Sequence, residues 1–578
     1  MKKEMTKDYA LKHSTSHLMA SAVKELFPKV KVAIGPPIDE GFYYDFDNLD
    51  ISDEDLKKIE KKMRQIAEKN LEFSVKEISK AEAKQLLKSE PYKLELLKDI
   101  EGKITFYSHG NFTDLCEGPH VKSTKEVRHF KLMSIAGAYW RGNSKNKMLT
   151  RIYGIVFNTE KELKEHLQLL EEAKKRDHKK IGKEMKLFTF SNLVGKGLPL
   201  WLPKGEIIKR EIENFAIETE KKAGYVRVST PHLAKKELYL QSGHLPYFKE
   251  DMYPPMKMDD GTYYLKGMNC PHHHLIYNHE PRSYKELPLR IAEYGTCYRN
   301  ELSGALAGLL RVRMLSMNDA HIYCTKAQIE DEIKGVLELI KFYFDTFGFK
   351  DHYFRLSLWD PKNKEKYIDE PKNWEHTQDI LRKLLKKLKL NFVEAEGEAA
   401  FYGPKIDVQF KTVLGREETM STIQLDFAAK TKFDLKYTEK ENKENSDVFV
   451  IHRAPLSVHE RFIAFLIEHY AGKFPLWLSP EQVRVLTVTD RSNNYAKEIY
   501  EKLKEAGFRV DLDTKSHSIS KKVREAQVAK VNYMVTIGDK EVDKKSLAIR
   551  TRDGKVKFDV KLNDFIKDLN KEIETKSR

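Results

Sequence analysis

A charged, helix-forming segment over residues 159–186, "TEKELKEHLQLLEEAKKRDHKKIGKEMK", divides the chain of 578 residues and constrains its fold more than any other feature. Leu163, Leu167 and Leu170 form one narrow stripe at positions i, i+4 and i+7. This pattern predicts a linker helix that belongs to no core. A chain of this length needs several cores, so we expect separate domains on the two sides of the linker.

The flanking patterns predict an α+β multidomain protein. Residues 1–158 mix strand and helix patterns, with turn signals such as Gly118-Pro119. Residues 187–480 carry aromatic-rich strand patterns such as "GTYYLKG" and "STIQLDFA", which predict a large antiparallel sheet with helices on it. Residues 481–578 alternate strands with helices, as in "VRVLTVT" and "NYAKEIYEKLKEAG", and this alternation predicts a small α/β domain.

Composition excludes several classes of protein. No apolar run approaches the roughly 18 residues that span a bilayer, and the charged N-terminus lacks a signal-peptide core, so we expect a cytoplasmic protein with no membrane partner. The formal net charge of +15 fits a polyanionic partner such as nucleic acid. The four cysteines are too few and too scattered for a disulfide framework, so each is a buried thiol or a metal ligand: Cys116, Cys270, Cys297 and Cys324.

Residues 294–315, "YGTCYRNELSGALAGLLRVRML", form a candidate phosphate-binding hairpin. Arg299 and Glu301 end a predicted strand and point to the same face. Arg311 and Arg313 then lie on the predicted returning strand. Guanidinium groups bind phosphate oxygens in a bidentate manner, so this hairpin can hold a nucleotide without a glycine-rich phosphate loop.

Arg461, in "HRAPLSVHERFIAFLIEHYAG", lies in a helix that we expect to begin around Leu456. A lone arginine more often forms a surface ion pair, but the order and flanking residues match motifs 2 and 3 of class II aminoacyl-tRNA synthetases. Pro231, in "YVRVSTPHL", matches the motif 1 proline at their dimer interface. With "MNCP", "NDAHIYC" and "IHRA", the chain resembles threonyl-tRNA synthetases from His13 to its C-terminal region.

This resemblance implies a homodimer with an editing domain (1–158), a linker (159–186), a class II catalytic domain (187–480) and an anticodon-binding domain (481–578). It implies that L-threonine and ATP form a threonyl adenylate, with Mg²⁺ on the phosphates, and that the acyl group passes to tRNA(Thr). Arg299 would bind the carboxylate and α-phosphate, and Glu301 would lie near the adenine. The remaining implied residues are Arg311 and Arg461 on the ATP phosphates, and Asp319, Tyr402 and Gln424 in the threonine pocket.

Cys270, His321 and His452 form a dispersed set, each predicted in or beside a strand. Three protein ligands with one open position is the catalytic zinc pattern, and the resemblance implies one Zn²⁺ per subunit. Threonine and valine are nearly isosteric, so an apolar pocket separates them poorly. A metal that requires both the amino and hydroxyl groups would reject valine but not serine, which predicts a second, hydrolytic site.

The sequence "HSTSH" places His13 and His17 on one helix face, and "DLCEGPH" adds Cys116 and His120. These four side chains can hold a metal, or the imidazoles can activate water without one. Both pairs resemble the editing domain shared by threonyl and alanyl enzymes, which hydrolyses seryl-tRNA, and the threonyl family favours the metal-free site. The resemblance completes this pocket with Asp114, Tyr107 and Lys93.

The sequence "IGDKEVDKKSLAIRTRDGK" resembles the anticodon-binding domain of class IIa synthetases. Glu541 and Arg550 would read anticodon bases, with Arg524 nearby, unless they form surface ion pairs. Ser516 stands where an asparagine is frequent. Many bacterial relatives carry a further β-rich domain before the editing domain, and we expect this domain to be absent here.

Five residues depart from the family pattern and affect the expected ATP and carboxylate contacts. Met317 and Asn318 stand where many members have Gln-Asp, Thr419 stands where a glutamine is common, and Ser457 and Val458 replace a Gly-Ser pair. Three other functions are compared with this family resemblance. A non-catalytic RNA-binding protein would have lost the motif arginines, a simple deacylase would not need the large domain, and a prolyl or seryl enzyme would not combine both histidine sets.

Overall fold

The computed structural model describes residues 6–39, 41–411, 417–440 and 443–577. Contacts divide the chain into two compact units, Met1–Glu171 and Glu172–Arg578. Within the described residues, every helix is too short or too polar to cross a bilayer.

The first unit packs helix α1 against an antiparallel sheet and contains a second, smaller sheet. Its strands are β1 (Lys31–Val32), β2 (Pro37–Ile38), β3 (Gly41–Asp47), β4 (Ser74–Glu77), β5 (Thr105–His109), β6 (Phe112–Leu115), β7 (His129–Tyr139) and β8 (Met148–Phe157). Its helices are α1 (Lys7–Leu26), α2 (Asp53–Glu68), α3 (Lys80–Leu86) and α4 (Pro91–Lys98). One sheet has the order β1-β3-β8-β7, with β2 beside β3, and a smaller sheet has the order β4-β5-β6.

Helix α1 is central to this unit, and its position explains the buried polar residues of "HSTSH". Leu11, Leu18 and Met19 pack into the core with Phe42 and Phe130 from the sheet. The histidines, serines and threonine between these apolar positions are therefore buried as well. Buried polar groups need partners, so this segment must make a hydrogen-bonded site rather than an ordinary core face.

The predicted linker is two helices, α5 (Glu160–Arg176) and α6 (His178–Glu184). Helix α5 buries no residue, as a linker helix requires. The Asp177 side chain accepts hydrogen bonds from the backbone N–H groups of Lys179 and Lys180 and so begins α6. Because Ile181 and Met185 pack into the core of the second unit, the prediction of one helix outside any core over 159–186 was wrong for the second part.

The larger part of the second unit contains the remaining elements up to residue 469. Its helices are α7 (Pro203–Lys222), α8 (Lys236–Gln241), α9 (His244–Tyr247), α10 (Cys270–Tyr277), α11 (Ile329–Phe347), α12 (Pro371–Lys387), α13 (Ala429–Lys432) and α14 (His459–His469). Its strands are β9 (Phe188–Thr189), β10 (Leu200–Trp201), β11 (Val226–Arg227), β12 (Leu233–Lys235), β13 (Met256–Met258), β14 (Gly261–Leu265), β15 (Leu289–Tyr298), β16 (Met314–Cys324), β17 (His352–Leu358), β18 (Phe392–Glu396), β19 (Lys405–Lys411), β20 (Glu417–Asp426), β21 (Tyr437–Thr438), β22 (Glu444–Asn445) and β23 (Phe449–Ala454).

An eight-stranded sheet dominates this part, in the order β11-β15-β16-β23-β20-β19-β17-β18. All its pairs are antiparallel except the two at the edges, β11 with β15 and β17 with β18. The apolar faces of α11 and α14 join its core through residues such as Ile333, Tyr343 and Phe462. The predicted antiparallel sheet with helices on it is confirmed.

The C-terminal part alternates as predicted: β24 (Val483–Thr487), α15 (Asn493–Glu505), β25 (Val510–Asp513), α16 (Ile519–Val528), β26 (Tyr533–Ile537), α17 (Asp539–Lys544), β27 (Leu547–Thr551), β28 (Val556–Val560) and α18 (Leu562–Glu574). Its sheet order is β25-β24-β26-β27-β28, parallel over the first three strands. Arg509 fixes it to the rest of the unit, because its Nη1 lies 2.7 Å from a Glu211 carboxylate oxygen and its Nη2 donates to the Trp477 carbonyl at 2.7 Å.

Candidate functional site

The structure brings Cys270, His321 and His452 together on the eight-stranded sheet. His321 on β16 and His452 on β23 lie directly opposite each other in the antiparallel register, with ring centroids 4.4 Å apart. The prediction placed each ligand in or beside a strand; Cys270 is instead the first residue of helix α10, five residues after strand β14 ends at Leu265. One ligand atom of each side chain lies within 4.8 Å of the others, and all three residues are buried.

The donor set fits a zinc ion. Burial lowers the pKa of His321 well below its usual value, so the imidazole is neutral, which is the metal-binding form. Burial, together with the Asp319 and Asp426 carboxylates, raises the pKa of the Cys270 thiol, and a bound cation reverses this effect because a coordinating thiol is deprotonated. One sulfur and two nitrogens leave a coordination position open, as in catalytic zinc sites.

Three side chains that the sequence analysis missed stand behind the two imidazoles. His452 Nε2 lies 3.0 Å from Asp426 Oδ2, and the Nδ1 atoms of His321 and His273 lie 2.8 Å apart. Glu293 lies behind His273 in turn. His273, three residues after Cys270, and Asp426, two residues after Gln424, lie close in sequence to predicted residues, whereas Glu293 is distant from them.

The predicted threonine-pocket residues adjoin this cluster. Gln424 on β20 is directly opposite His452 on β23. The Tyr402 ring stacks on His452 with centroids 4.9 Å apart, and its hydroxyl donates to Gln424 Oε1. Asp319 accepts a hydrogen bond from Asn269 Nδ2 at 3.0 Å, and burial raises its pKa. The three residues therefore supply hydroxyl, amide and carboxylate groups around one small polar site.

In the candidate phosphate-binding hairpin of residues 294–315, the predicted phosphate ligands lie in the loop between strands β15 and β16. Strand β15 ends at Tyr298, one residue before Arg299, and β16 begins at Met314. Arg311 and Arg313 therefore precede the returning strand, where the prediction had placed them on it. Arg311 Nε donates to Glu301 Oε2 at 2.7 Å. Arg299 Nε is buried and has no hydrogen-bond partner among the described residues, and Nη2 lies 4.0 Å from Met317 Sδ, so the guanidinium group has no carboxylate partner there and can bind an anion.

Arg461 completes a group of three guanidinium groups. Helix α14 begins at His459, so the expected start at Leu456 was three residues too early. Arg461 Nε donates to the Leu310 carbonyl at 3.0 Å. Burial lowers its pKa, the Glu418 carboxylate opposes this effect, and the nearby charges of Arg299 and Arg311 lower the pKa further. This concentration of positive charge fits a polyphosphate, because bound phosphate oxygens would relieve it.

The first unit holds a second cluster, formed by His13 and His17 on one face of α1 and by Cys116 and His120 after β6. The His120 ring centroid lies 4.3 Å from that of His13 and 4.5 Å from that of His17. One ligand atom from each of the four side chains lies within 4.8 Å of the others. The structure thus brings both predicted pairs into one site.

Hydrogen bonds occupy much of this second cluster. His13 Nδ1 donates to the Pro119 carbonyl at 3.2 Å. Ser14 Oγ accepts from the Val121 backbone N–H and lies 3.0 Å from His120 Nδ1, and His120 Nε2 lies 3.2 Å from Cys116 Sγ. Burial lowers the pKa of His13 to about 4 and that of His120 to about 2. Both rings are therefore neutral near pH 7.

Asp114 links the predicted Lys93 to the cluster. Its carboxylate lies 2.7 Å from Lys93 Nζ, accepts a hydrogen bond from the Tyr44 hydroxyl at 2.5 Å and lies 3.7 Å from His17 Nε2. The predicted Tyr107 packs its ring 4.5 Å from that of His120. Tyr44 and Ser14 were not predicted from the sequence, although Ser14 lies within "HSTSH" itself.

Three family models match the chain. The "tRNA synthetase class II core domain (G, H, P, S and T)" matches residues 253–470, the "Anticodon binding domain" matches residues 482–572, and the "Threonyl and Alanyl tRNA synthetase second additional domain" matches residues 104–153. Threonine–tRNA ligase from Staphylococcus carnosus (strain TM300) is 50% identical over 98% of this chain and 88% of the relative. The enzyme from Staphylococcus aureus (strain JH9) is 49% identical over the same shares.

The chain belongs to the threonine–tRNA ligase family. A crystal structure of the RNA binding domain of threonyl-tRNA synthetase from Cryptosporidium parvum Iowa II has 35% identity and a TM-score of 0.65, over 68% of this chain and 98% of that chain. The matches confirm a class II core, an N-terminal editing-type domain and a C-terminal anticodon-type domain.

Three of the residues that depart from the expected family pattern have a visible structural setting. Asn318 faces helix α7 and donates to Glu220 Oε1 at 2.8 Å, so it belongs to a buried network rather than to the ATP contacts. Ser457 occupies the position of a common family glycine with φ of 54°, in the left-handed region that favours glycine. Met317 Sδ lies 4.0 Å from Arg299 Nη2, where a glutamine is frequent in the family.

The predicted anticodon residues lie on three different elements of the C-terminal part. Arg524 lies on α16, Glu541 on α17 and Arg550 on β27. Glu541 Oε2 accepts from the Gly538 backbone N–H at 2.9 Å and caps its own helix. Arg550 Nη1 donates to the Gly554 carbonyl at 3.5 Å. Among the described residues, no direct side-chain contact joins these three.

Proposed function

We propose that this ligase joins L-threonine to tRNA(Thr) through a threonyl adenylate and hydrolyses seryl-tRNA(Thr) formed by mistake. The observation that carries the proposal is one buried site with a thiol and two imidazoles, together with the group of three arginines formed by Arg299, Arg311 and Arg461. The second histidine cluster supports the editing step, since part of its unit matches a domain of threonyl and alanyl synthetases.

In the proposed activation step, a threonine carboxylate oxygen attacks the α-phosphorus of ATP and pyrophosphate leaves. The Arg299 guanidinium, which has no carboxylate partner among the described residues, would hold the threonine carboxylate and the α-phosphate, while Arg311 and Arg461 would hold the phosphates that depart. Mg²⁺ would bind with ATP and neutralise the same oxygens. Glu301, whose carboxylate pairs with Arg311 Nε, would lie near the adenine.

Cys270, His321 and His452 would hold the zinc ion, and Asp319, Tyr402 and Gln424 would line the amino-acid pocket. When bound, zinc supplies an open coordination position that the amino and hydroxyl groups of threonine can occupy. Valine has no hydroxyl group and would be rejected, as polar sites reject apolar isosteres.

Serine lacks only one methyl group, which is worth about 0.8 kcal/mol, or roughly a fourfold preference. This small preference is the physical reason for a second site. His17 Nδ1 is buried and has no partner among the described residues, so it is our candidate base for the water that attacks the seryl ester. The Lys93 ammonium near the rings opposes an added cation, which supports a metal-free mechanism.

We also propose the domain assignments as predicted, with editing in 1–158, activation in 187–480 and anticodon recognition by Arg524, Glu541 and Arg550 in 481–578. Exposed Pro231, flanked by the exposed Val226 and Leu233, supports a homodimer contact in the motif 1 region. The cytoplasmic location follows from the family's role in protein synthesis.

ATP–pyrophosphate exchange tests the proposal directly. We expect strong exchange with threonine, weaker exchange with serine, little with valine, and loss of exchange after zinc chelation. Absence of exchange with threonine in zinc-replete protein would refute the activation step.

A further inference from the structure

The imidazole ligands of the Cys270/His321/His452 site must each present a nitrogen without a proton. A neutral imidazole carries its proton on either Nδ1 or Nε2, and only the other nitrogen can bind a metal. The groups that fix this choice at His321 and His452 lie outside the family motifs. In the structure, the two histidines have different partners. The inference rests on the proposed zinc site.

His452 has a direct carboxylate partner. Its Nε2 lies 3.0 Å from Asp426 Oδ2. Asp426 Oδ1 accepts from the backbone N–H groups of Ala428 and Ala429 at 2.7 and 2.9 Å, which holds the carboxylate in place. Because the carboxylate only accepts, His452 Nε2 carries the proton and Nδ1 is left for a metal.

His321 has another histidine as its partner. Its Nδ1 lies 2.8 Å from Nδ1 of His273, and His273 Nε2 lies 3.2 Å from Glu293 Oε2. Both rings are at most 1% exposed, so water does not compete for these nitrogens. Two facing nitrogens form a hydrogen bond only if one donates and the other accepts, so the state of His273 decides the state of His321.

Glu293 is surrounded by donors. Its Oε1 accepts from the Thr230 backbone N–H at 2.8 Å, and its Oε2 accepts from the Thr230 hydroxyl at 2.9 Å. Lys266 Nζ donates to Thr230 Oγ1 at 2.7 Å, which directs the hydroxyl proton to Glu293, and lies 3.7 Å from the carboxylate itself. Glu293 therefore acts as an acceptor only.

We propose that Glu293 and His273 are positioning residues that fix the tautomer of His321. Glu293 accepts from His273 Nε2–H, His273 Nδ1 then accepts from His321 Nδ1–H, and His321 Nε2 is left free for the metal. Neither residue is assigned a contact with substrate. Outer partners of this kind orient metal-bound histidines generally, but here the carboxylate acts across an intervening imidazole.

The variant Glu293→Gln tests this order of donors. The Thr230 backbone N–H requires an acceptor, so the amide oxygen takes the Oε1 position and the amide NH₂ faces His273 Nε2. Both hydrogen bonds of His273 then reverse direction. His273 Nδ1–H donates to His321 Nδ1, and the proton of His321 moves to Nε2, the nitrogen that should bind zinc. We expect the zinc Kd, measured by competition with a chromophoric chelator, to rise about 10- to 100-fold.

Two comparisons separate this positioning role from a general effect on packing. Glu332→Gln removes another buried carboxylate, which pairs with Arg290 at 2.6 Å in the same unit, and should leave the zinc Kd unchanged. His273→Gln retains one donor and one acceptor and should bind zinc more tightly than His273→Leu. The Co²⁺-substituted protein gives a second readout, since loss of a nitrogen ligand changes its visible absorption.

If Glu293→Gln is insoluble, Thr230→Val, which removes one donor to Glu293, should raise the zinc Kd by a smaller factor. An unchanged zinc Kd and an unchanged cobalt spectrum in the variant that folds would refute the proposal that Glu293 and His273 fix the tautomer of His321. Failure of the unaltered protein to bind zinc would instead refute the proposed zinc site.

Discussion

The buried ion pair between Glu220 and Arg453 connects helix α7 to the strand that carries His452. Glu220 Oε1 lies 2.8 Å from Arg453 Nη1, and the two side chains are 1% and 0% exposed. Burial alone would lower the pKa of Arg453, but the Glu220 carboxylate opposes this effect and the pKa is raised. Asn318 Nδ2 donates to the same carboxylate oxygen, so one helix (α7) and two strands (β16 and β23) meet at this carboxylate.

Replacing Glu220 by glutamine leaves the Arg453 guanidinium buried without a counter-charge. At an effective dielectric constant near 20, two charges at this separation attract by about 6 kcal/mol. Removal of one partner from a buried pair costs about 3–5 kcal/mol in practice. We therefore expect Glu220→Gln to lower the free energy of unfolding of the second unit by about 3–5 kcal/mol, measured by urea titration.

The double variant Glu220→Gln/Arg453→Met provides the control. It removes both charges, and apolar replacement of a buried pair is often neutral, so most of the lost stability should return. A single variant within about 0.5 kcal/mol of the unaltered protein, a change typical of surface substitutions, would refute the reasoning. So would a double variant no more stable than the single one.

Three further predictions concern the two clusters. Cys270→Ala should abolish zinc binding and threonine-dependent exchange, whereas Cys324→Ala, a buried thiol outside the cluster, should retain both; equal zinc content in the two variants would contradict the site. His17→Ala should slow seryl-tRNA hydrolysis about 10²–10⁴-fold without affecting exchange, and an unchanged hydrolysis rate would exclude it as the base. Burial lowers the pKa of His13 and His109 from 6.5 to about 4, so the unfolded chain binds more protons below pH 6.5. The contribution of these residues to the stability of the first unit should be complete above pH 6.5 and be lost progressively as pH falls from 6.5 to about 4, and calorimetry of His109→Phe should show a shallower decrease.

Local spacing was sufficient for some of these features. The i, i+4 spacing of His13 and His17 placed both on one helix face, and the alternation after residue 481 predicted the C-terminal fold. Both follow from the periods of helices and strands alone.

Other features depend on pairing between distant strands. His321 faces His452 because β16 and β23 pair in one particular register, and no local period specifies that register. The partners behind these rings, Glu293 and Asp426, come from two further strands. The exact ends of β15 and β16 around Arg299 were also beyond the sequence, because loop residues continue the same polar pattern.

The two clusters contain the same side-chain types, and their surroundings decide what each can do. The Asp426 carboxylate lies 3.0 Å from His452 Nε2 and has no lysine partner among the described residues, so its negative charge favours a bound cation. Glu293 lies behind His321 through His273, with Lys266 Nζ 3.7 Å from its carboxylate. In the first unit, the Asp114 carboxylate is already paired with Lys93 at 2.7 Å, and His120 is held between Ser14 and Cys116. A cation there would meet an ammonium group and displace hydrogen bonds, whereas neutral imidazoles can still exchange protons with water. On the proposed function, the charge behind the rings, rather than the number of ligands, therefore distinguishes the proposed metal site from the proposed acid–base site.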